Sequence, residues 1–329
     1  MNEVAVFAPG SLFVVGEYAV LHGGRALLAA VDSGIGCRAA PAADGWWLSA
    51  PDLGVDAPLE EVPRDSGAGL LAAAVRAGSA AFPDTGQLRV TVRGRGWGAG
   101  RKIGLGTSAA GVVAVLGALA AAAGRDLSSP ALRRTLLPTA VDVHRAHQHG
   151  RGSGGDVAAS VHGGWVGYRT VHGAPHADPA AVPPGLRLAV AWSGLGCDTP
   201  SGIDAFHRMP GADGFVNALH EELGRFWAAS RAGDRAGFQR SVCAYGVLLE
   251  GLARRVAPPE AAERMARLTH AAADGGTAVK SSGAVGGDCV IALGPDGARL
   301  AEVRAAWRRL GAVPLDVALD TEGLRAGAP

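Results

Sequence analysis

Residues Ala109–Ala123, AAGVVAVLGALAAAA, form an unbroken apolar run that ends at Gly124. No other feature constrains the fold as strongly. The run is too short and too rich in alanine for a membrane span, so a helix buried on every side is expected. Immediately before it stand Gly104, Leu105, Gly106, Thr107 and Ser108. A glycine turn that opens a helix leaves backbone N–H groups unpaired and aimed at one point, with the positive end of the helix dipole behind them. Such a turn receives phosphate, and nearby hydroxyls can hold a phosphate oxygen or a magnesium ion. Gly-x-x-x-x-Gly-Lys-Ser/Thr is absent, so this is not a Walker loop. Taken alone, a tight packing turn explains the glycines equally well.

Two further glycine-rich segments flank it, APGSLFVVGEYAVLHGG (Ala8–Gly24) and KSSGAVGGDC (Lys280–Cys289). Together with KIGLGTSAAG (Lys102–Gly111), they resemble the GHMP kinase superfamily, named for galactokinase, homoserine, mevalonate and phosphomevalonate kinases. Members carry Pro-Gly-Lys-x-x-x-x-Gly-Glu, a central Gly-Leu-Gly-Ser-Ser-Ala loop and a C-terminal Gly-Ala-Gly-Gly-Gly loop, in this order. The resemblance spans nearly the whole chain. It implies an α/β (α+β) fold of two domains with the active site in the cleft between them. Residues 1–178 would be the N-terminal domain with the phosphate loop, and residues 179–329 a ferredoxin-like C-terminal domain.

A net charge of +1 carries no electrostatic footprint for nucleic acid or an anionic membrane. The start, MNEVAVFAPG, lacks the features of a signal peptide, so a cytoplasmic enzyme, monomer or homodimer, is expected. Cys37, Cys197, Cys243 and Cys289 are scattered without Cys-x-x-Cys pairs and read as reduced thiols. Patterning predicts strands at Val4–Phe7, Ser11–Val15, Leu27–Val31, Gly36–Ala39, Trp46–Ser49, Leu88–Val92, Trp165–Arg169, Leu186–Ser193, Thr277–Lys280, Asp288–Leu293 and Pro314–Ala318. Helices are predicted at Gly67–Ala81, Pro130–His149, Phe215–Ala232, Asp234–Val256, Pro259–Asp274 and Ala301–Leu310. Val171–Gly185, without a clear period, is where the domain boundary is expected.

Within the superfamily, four local patterns are similar to bacterial phosphomevalonate kinases. They are Lys102 before the phosphate loop, the Gly-Ser-Gly-x-Asp-Val string Gly152–Val157, AWSGLGCDTPSGI (Ala191–Ile203) and the closing KSSGAVGGDC. The resemblance implies ATP and Mg2+ as cofactors and a phosphorylated mevalonate-type acceptor as the small-molecule partner. Asp156 would stand beside the acceptor oxygen, taking a proton or orienting the acceptor; a helix cap is its bland alternative. Lys102 would bridge phosphates. Gly104, Leu105, Gly106, Thr107, Ser108 and Ala109 would hold the nucleotide, with Ser108 on the magnesium.

Glu17, Tyr18, His22, Ser153, Gly154, Thr199, Ser201, Ser282, Gly283 and Ala284 would face the acceptor. Ser201-Gly202-Ile203-Asp204 mimics a catalytic aspartate string, but its position after the linker strand favours Asp156. A metal-binding carboxylate has no clear candidate; Asp142 is weak. His144, His147 and His149 fit a helix face or the substrate pocket better than a metal site, and Arg101 and Arg169 are lesser phosphate partners. Two positions depart from the family: its lysine is Ser11 here, and the central glycine of its third loop is Val285. The alternatives are another GHMP small-molecule kinase, mevalonate kinase first, or a weakly catalytic ligand-binding relative.

Overall fold

A computed structural model describes residues 2–94, 103–196, 199–271, 276–284 and 287–327. The first sheet is built on two long antiparallel strands, β1 (Val4–Val15) and β2 (Ala26–Pro41). The sequence predicts each as two short strands, Val4–Phe7 and Ser11–Val15 for β1, Leu27–Val31 and Gly36–Ala39 for β2. Both strands instead run on through the gaps. The register shifts between Pro9 and Gly10, so one bulge absorbs the residues that fit poorly into a ladder.

Strands β3 (Trp47–Ala50), β4 (Val55–Pro58) and β5 (Leu88–Gly94) extend the sheet beyond β2, with β3 parallel to β5. Strands β6 (Trp165–Val171) and β7 (Ala174–Pro179) add a hairpin on β2. Part of the stretch without a clear period is therefore β7, an edge strand whose side chains are at most half-buried.

Helix α1 (Gly69–Ala81), the apolar α2 (Thr107–Ala122), α3 (Pro130–His147) and α4 (Gly155–His162) pack as one layer on this sheet. Helix α2 lies at the centre. Its residues Ala109–Ala120 are all buried between the sheet and the other three helices, which is why it has no polar face.

The second sheet is antiparallel, with β8 (Arg187–Trp192), β9 (Ala278–Ser282), β10 (Cys289–Gly294) and β11 (Val313–Leu315) in the order β11-β8-β10-β9. Successive side chains serve opposite faces. Val190, Ile291 and Leu293 pack towards α6 (Ala212–Ala232) and α7 (Arg235–Val256). Ala189, Ala191, Val290 and Ala292 pack towards α8 (Pro259–His270) and α9 (Gly297–Arg309). With both faces covered, β10 is apolar throughout.

A further helix, α5 (Thr199–His207), forms where the sequence suggests only turns. Its buried Ile203 and Phe206 supply the anchor that the local pattern understates. The core beneath the cleft mixes both halves: Leu12, Val14 and Tyr18 pack in one cluster with Phe206, Phe226 and Tyr245. The end of the chain then returns to the first sheet, where β12 (Arg325–Ala326) pairs with β1 and Leu324 is fully buried. Among the described residues, no helix is long and apolar enough to cross a membrane.

Candidate active site

The phosphate loop is shaped by contacts with both other glycine segments. Gly104 and Gly106 have φ of +79° and +65°, values that L side chains rarely adopt. A Cβ on Gly106 would lie 2.3 Å from the Ser11 Oγ, and one on Gly104 would lie 2.1 Å from the Cβ of Asp288. The Ser11 N–H donates to the Leu105 carbonyl at 2.9 Å, stitching the loop to β1. Among the described residues no side chain caps α2, which leaves its first N–H groups beside Gly106 and Ser108 on the cleft wall. The cleft holds about 910 Å³ of empty space, its open mouth included.

Many of the expected residues converge on this cleft. Gly104, Gly106 and Ser108 line it with Ser153, Asp156, Glu17, Tyr18, Ser282, Gly283 and Ala284. The remaining expectations divide. Leu105 and Ala109 are buried in the core, so only their backbone is available to a nucleotide. Thr107 is absent from the cleft wall. Gly154 lies behind it, against Val141 and the Tyr168 hydroxyl. His22 is also outside, its ring against Phe206 and His207. Burial, then the neighbouring His207 and His220, hold its pKa below 6.5 against the opposing pull of Asp213. Ser201 is exposed on α5, where Thr199 is the first residue. Asp142 and Arg169 are exposed. Lys102, Arg101 and Val285 lie outside the described residues.

One connection joins the two strongest candidates. His144 is 1% exposed, and its Nε2 lies 3.0 Å from the Ser108 Oγ. Its Nδ1 is 3.8 Å from the Asp156 Oδ2. The other oxygen of Asp156 accepts the Val157 N–H at 3.0 Å; Asp156 lies within the first turn of α4, whose N-cap is Gly154, so it is not the helix cap that its position in the sequence also allowed. His147 and His149, by contrast, are exposed. The sequence offered three histidines at helical spacing, and burial selects one.

The floor of the cleft is an ion pair. Lys280, fully buried on β9, donates from Nζ to the Glu17 Oε1 at 2.5 Å and also to the Ser281 carbonyl. Burial pushes the ammonium below its ordinary pKa of 10.5, while Glu17 pulls the other way. Glu17 is 4% exposed, and among the described residues its Oε2 has no hydrogen-bond partner.

Its backbone is equally constrained. The Ala19 N–H donates to the Glu17 carbonyl at 2.7 Å across Tyr18, whose φ of 62° and ψ of −51° define a rare, strained γ-turn. The buried Tyr245 hydroxyl donates to the same carbonyl at 2.7 Å and helps hold the turn. Sequence reasoning missed Lys280 as the partner of Glu17, and missed Phe13, Gln148, Ile203 and Asp288 as cleft residues. Only the position of Asp288 at the end of the third glycine segment was a usable signal.

Ser108, Glu17 and Asp156 line the same cleft, and their oxygens are of the hard type that magnesium accepts. The unpartnered Glu17 Oε2 is a buried acceptor that such a cation would satisfy. The cleft therefore offers an anionic group such as a phosphate the uncapped start of α2, with the Asp156 carboxylate on the same wall.

The family model for the GHMP kinases N terminal domain matches residues 70–164, and that for the GHMP kinases C terminal region matches 226–313. A phosphomevalonate kinase of Streptomyces sp. (strain CL190) is 30% identical, over 96% of this chain and 97% of that one. The fold is shared with a Lin0012 protein from Listeria innocua, at a TM-score of 0.85 and 23% identity over 99% of both chains. It is also shared with Streptococcus pneumoniae phosphomevalonate kinase in complex with phosphomevalonate and AMPPNP, at a TM-score of 0.79 and 21% identity over 99% of this chain and 100% of that one.

Proposed function

The chain belongs to the GHMP kinases and is a phosphotransferase, and from that premise we propose that it phosphorylates (R)-5-phosphomevalonate with ATP, giving (R)-5-diphosphomevalonate. The observation that carries the choice of acceptor is the 30% identity to a phosphomevalonate kinase over 96% of the chain. The reaction joins an acceptor phosphate oxygen to the γ-phosphorus and releases ADP. It asks little covalent chemistry of a protein; alignment and charge neutralisation are the main requirements.

The chain's own groups suit that task. The N–H groups at the start of α2 hold nucleotide phosphates, helped by the helix dipole. His144 fixes the Ser108 hydroxyl, and Ser108, Glu17 and Asp156 are the residues whose oxygens would be available to hold Mg2+. When bound, that ion neutralises charge on the transferring phosphates. The acceptor phosphate is largely ionised near neutral pH, so Asp156 has more to do in orienting it than in removing a proton.

Ser11 lines the cleft without the charge that the family's lysine brings. Lys280 does not compensate for it, because its ammonium is buried against Glu17. Lys102 remains the candidate for that role.

Phosphorus-31 NMR of the purified protein with Mg-ATP, run separately with mevalonate and with 5-phosphomevalonate, tests the reading. New diphosphate signals with phosphomevalonate alone are expected. A monophosphate product from mevalonate alone overturns the choice of acceptor. No product from either, in protein that binds ATP, favours the weakly catalytic relative that Ser11 keeps in view.

A further inference from the structure

The loop between α3 and α4 carries Arg151 directly before Gly152 and Ser153, both on the cleft wall. Its Nε donates to the Oδ1 of Asp204 at 2.6 Å. Asp204 belongs to α5 and follows Ile203, which lines the cleft from the other half of the chain. The ion pair thus spans the cleft rim, between the half that carries Asp156 and the half that carries Ser282–Ala284.

Its exposure argues against a role in holding the halves together. The two side chains are 36% and 32% exposed, and ion pairs this accessible add little to stability. The mixed core of Leu12, Val14, Tyr18, Phe206 and Tyr245 already joins the halves. Asp204 engages Arg151 through Nε alone, and among the described residues neither Nη group has a protein partner. The free end is a planar, permanently charged fork that matches two phosphate oxygens. It stands beside a cleft where Lys280 is held by Glu17 and Ser11 brings no charge.

We propose that Arg151 binds the phosphate already present on the acceptor, and that the Arg151–Asp204 pair sets the selectivity for a phosphorylated over an unphosphorylated acceptor. The inference rests on the phosphomevalonate reading above. Asp204 has two opposing effects in this arrangement. Its Oδ1 orients the guanidinium, and its negative charge repels the incoming dianion. Asp204→Asn keeps the acceptor oxygen and removes the charge, so the two effects separate. A mere clasp between the halves would weaken with either substitution. A phosphate site responds with opposite signs.

The test is steady-state kinetics of the full chain with (R)-5-phosphomevalonate varied at saturating Mg-ATP, then with ATP varied. Arg151→Ala is expected to raise KM for phosphomevalonate roughly ten- to hundredfold, the range for a lost charge-assisted hydrogen bond. Its KM for ATP should stay within about twofold, the scatter of such measurements when one site is left intact. Asp204→Asn is expected to lower KM for phosphomevalonate by roughly two- to fivefold, as relief of one exposed charge allows.

An unchanged KM in Arg151→Ala overturns the proposal, as does a parallel rise of both KM values in both variants. If Arg151→Ala does not fold, Asp204→Asn decides alone, and a raised KM for phosphomevalonate refutes the site. Wild-type protein that leaves phosphomevalonate untouched is a separate result, read without any variant. It overturns the proposed function, and this inference with it.

Discussion

Lys280→Met should destabilise the protein far more than an average substitution, because it leaves the Glu17 carboxylate buried without its cation. The Nζ to Oε1 distance is 2.5 Å, with Lys280 fully buried and Glu17 4% exposed. At an effective dielectric of about 20, the gross attraction at that distance is about 6–7 kcal/mol. Desolvation of the two ions opposes it by several kcal/mol each, so the intact pair contributes little net stability.

Removing one partner is a different matter. The remaining carboxylate, with Oε2 already unpartnered, keeps its desolvation cost and loses its compensation. A loss of about 3–5 kcal/mol is expected for Lys280→Met. Replacing both ions, in Glu17→Leu/Lys280→Met, should return the protein to within about 1–2 kcal/mol of wild type, since both charges are then gone. Urea unfolding followed by circular dichroism and by tryptophan fluorescence measures the cycle, and coincident transitions establish that it is two-state. The reasoning is refuted if Lys280→Met costs less than about 1 kcal/mol, or if the two single effects add to within about 0.5 kcal/mol.

Asp156→Asn should lower kcat at least about 100-fold, because it alters the carboxylate that faces the acceptor. An unchanged kcat sinks the assignment. Gly106→Ala should raise KM for ATP at least about tenfold and lower the melting temperature: φ of +65° costs an alanine about 1–2 kcal/mol, and the new Cβ meets the Ser11 Oγ. Wild-type values for both quantities would refute it. His162 is held below its ordinary pKa of 6.5 by burial first and by Arg133 second. As the pH falls through 6.5, the unfolded chain takes up a proton before the folded one, so stability declines on the acid side and is flat above. Melting temperatures at pH 7.5 and pH 5.5 should show this decline, and His162→Gln should shrink it; an unaltered decline in the variant refutes the role of His162.

Local chemistry made part of this protein readable. The α2 run is apolar along its whole length, and a helix surrounded by core has no polar face to break the pattern. Gly104 and Gly106 announced the turn before it, because positive φ is a property of single residues. Asp156 and the three glycine segments were singled out through their resemblance to a known family, and the fold brings Asp156 to the cleft wall. Elements under less local constraint were less visible. Strands β1 and β2 each looked like two short strands, since pairing energy along a long ladder is not written in either strand. Helix α5 and strands β7 and β12 depend on partners elsewhere in the chain.

The pairings that complete the cleft belong to the tertiary structure. Lys280 and Glu17 are 263 residues apart, Arg151 and Asp204 are 53 apart, and Ser108 and His144 are 36 apart. Nothing in a window of sequence distinguishes a lysine that will be fully buried from one bound for solvent, or His144 from its exposed neighbours His147 and His149. Burial and charge compensation are properties of the assembled core. They set which histidine meets Ser108, which cation meets Glu17 and which arginine meets Asp204 at the rim of the cleft.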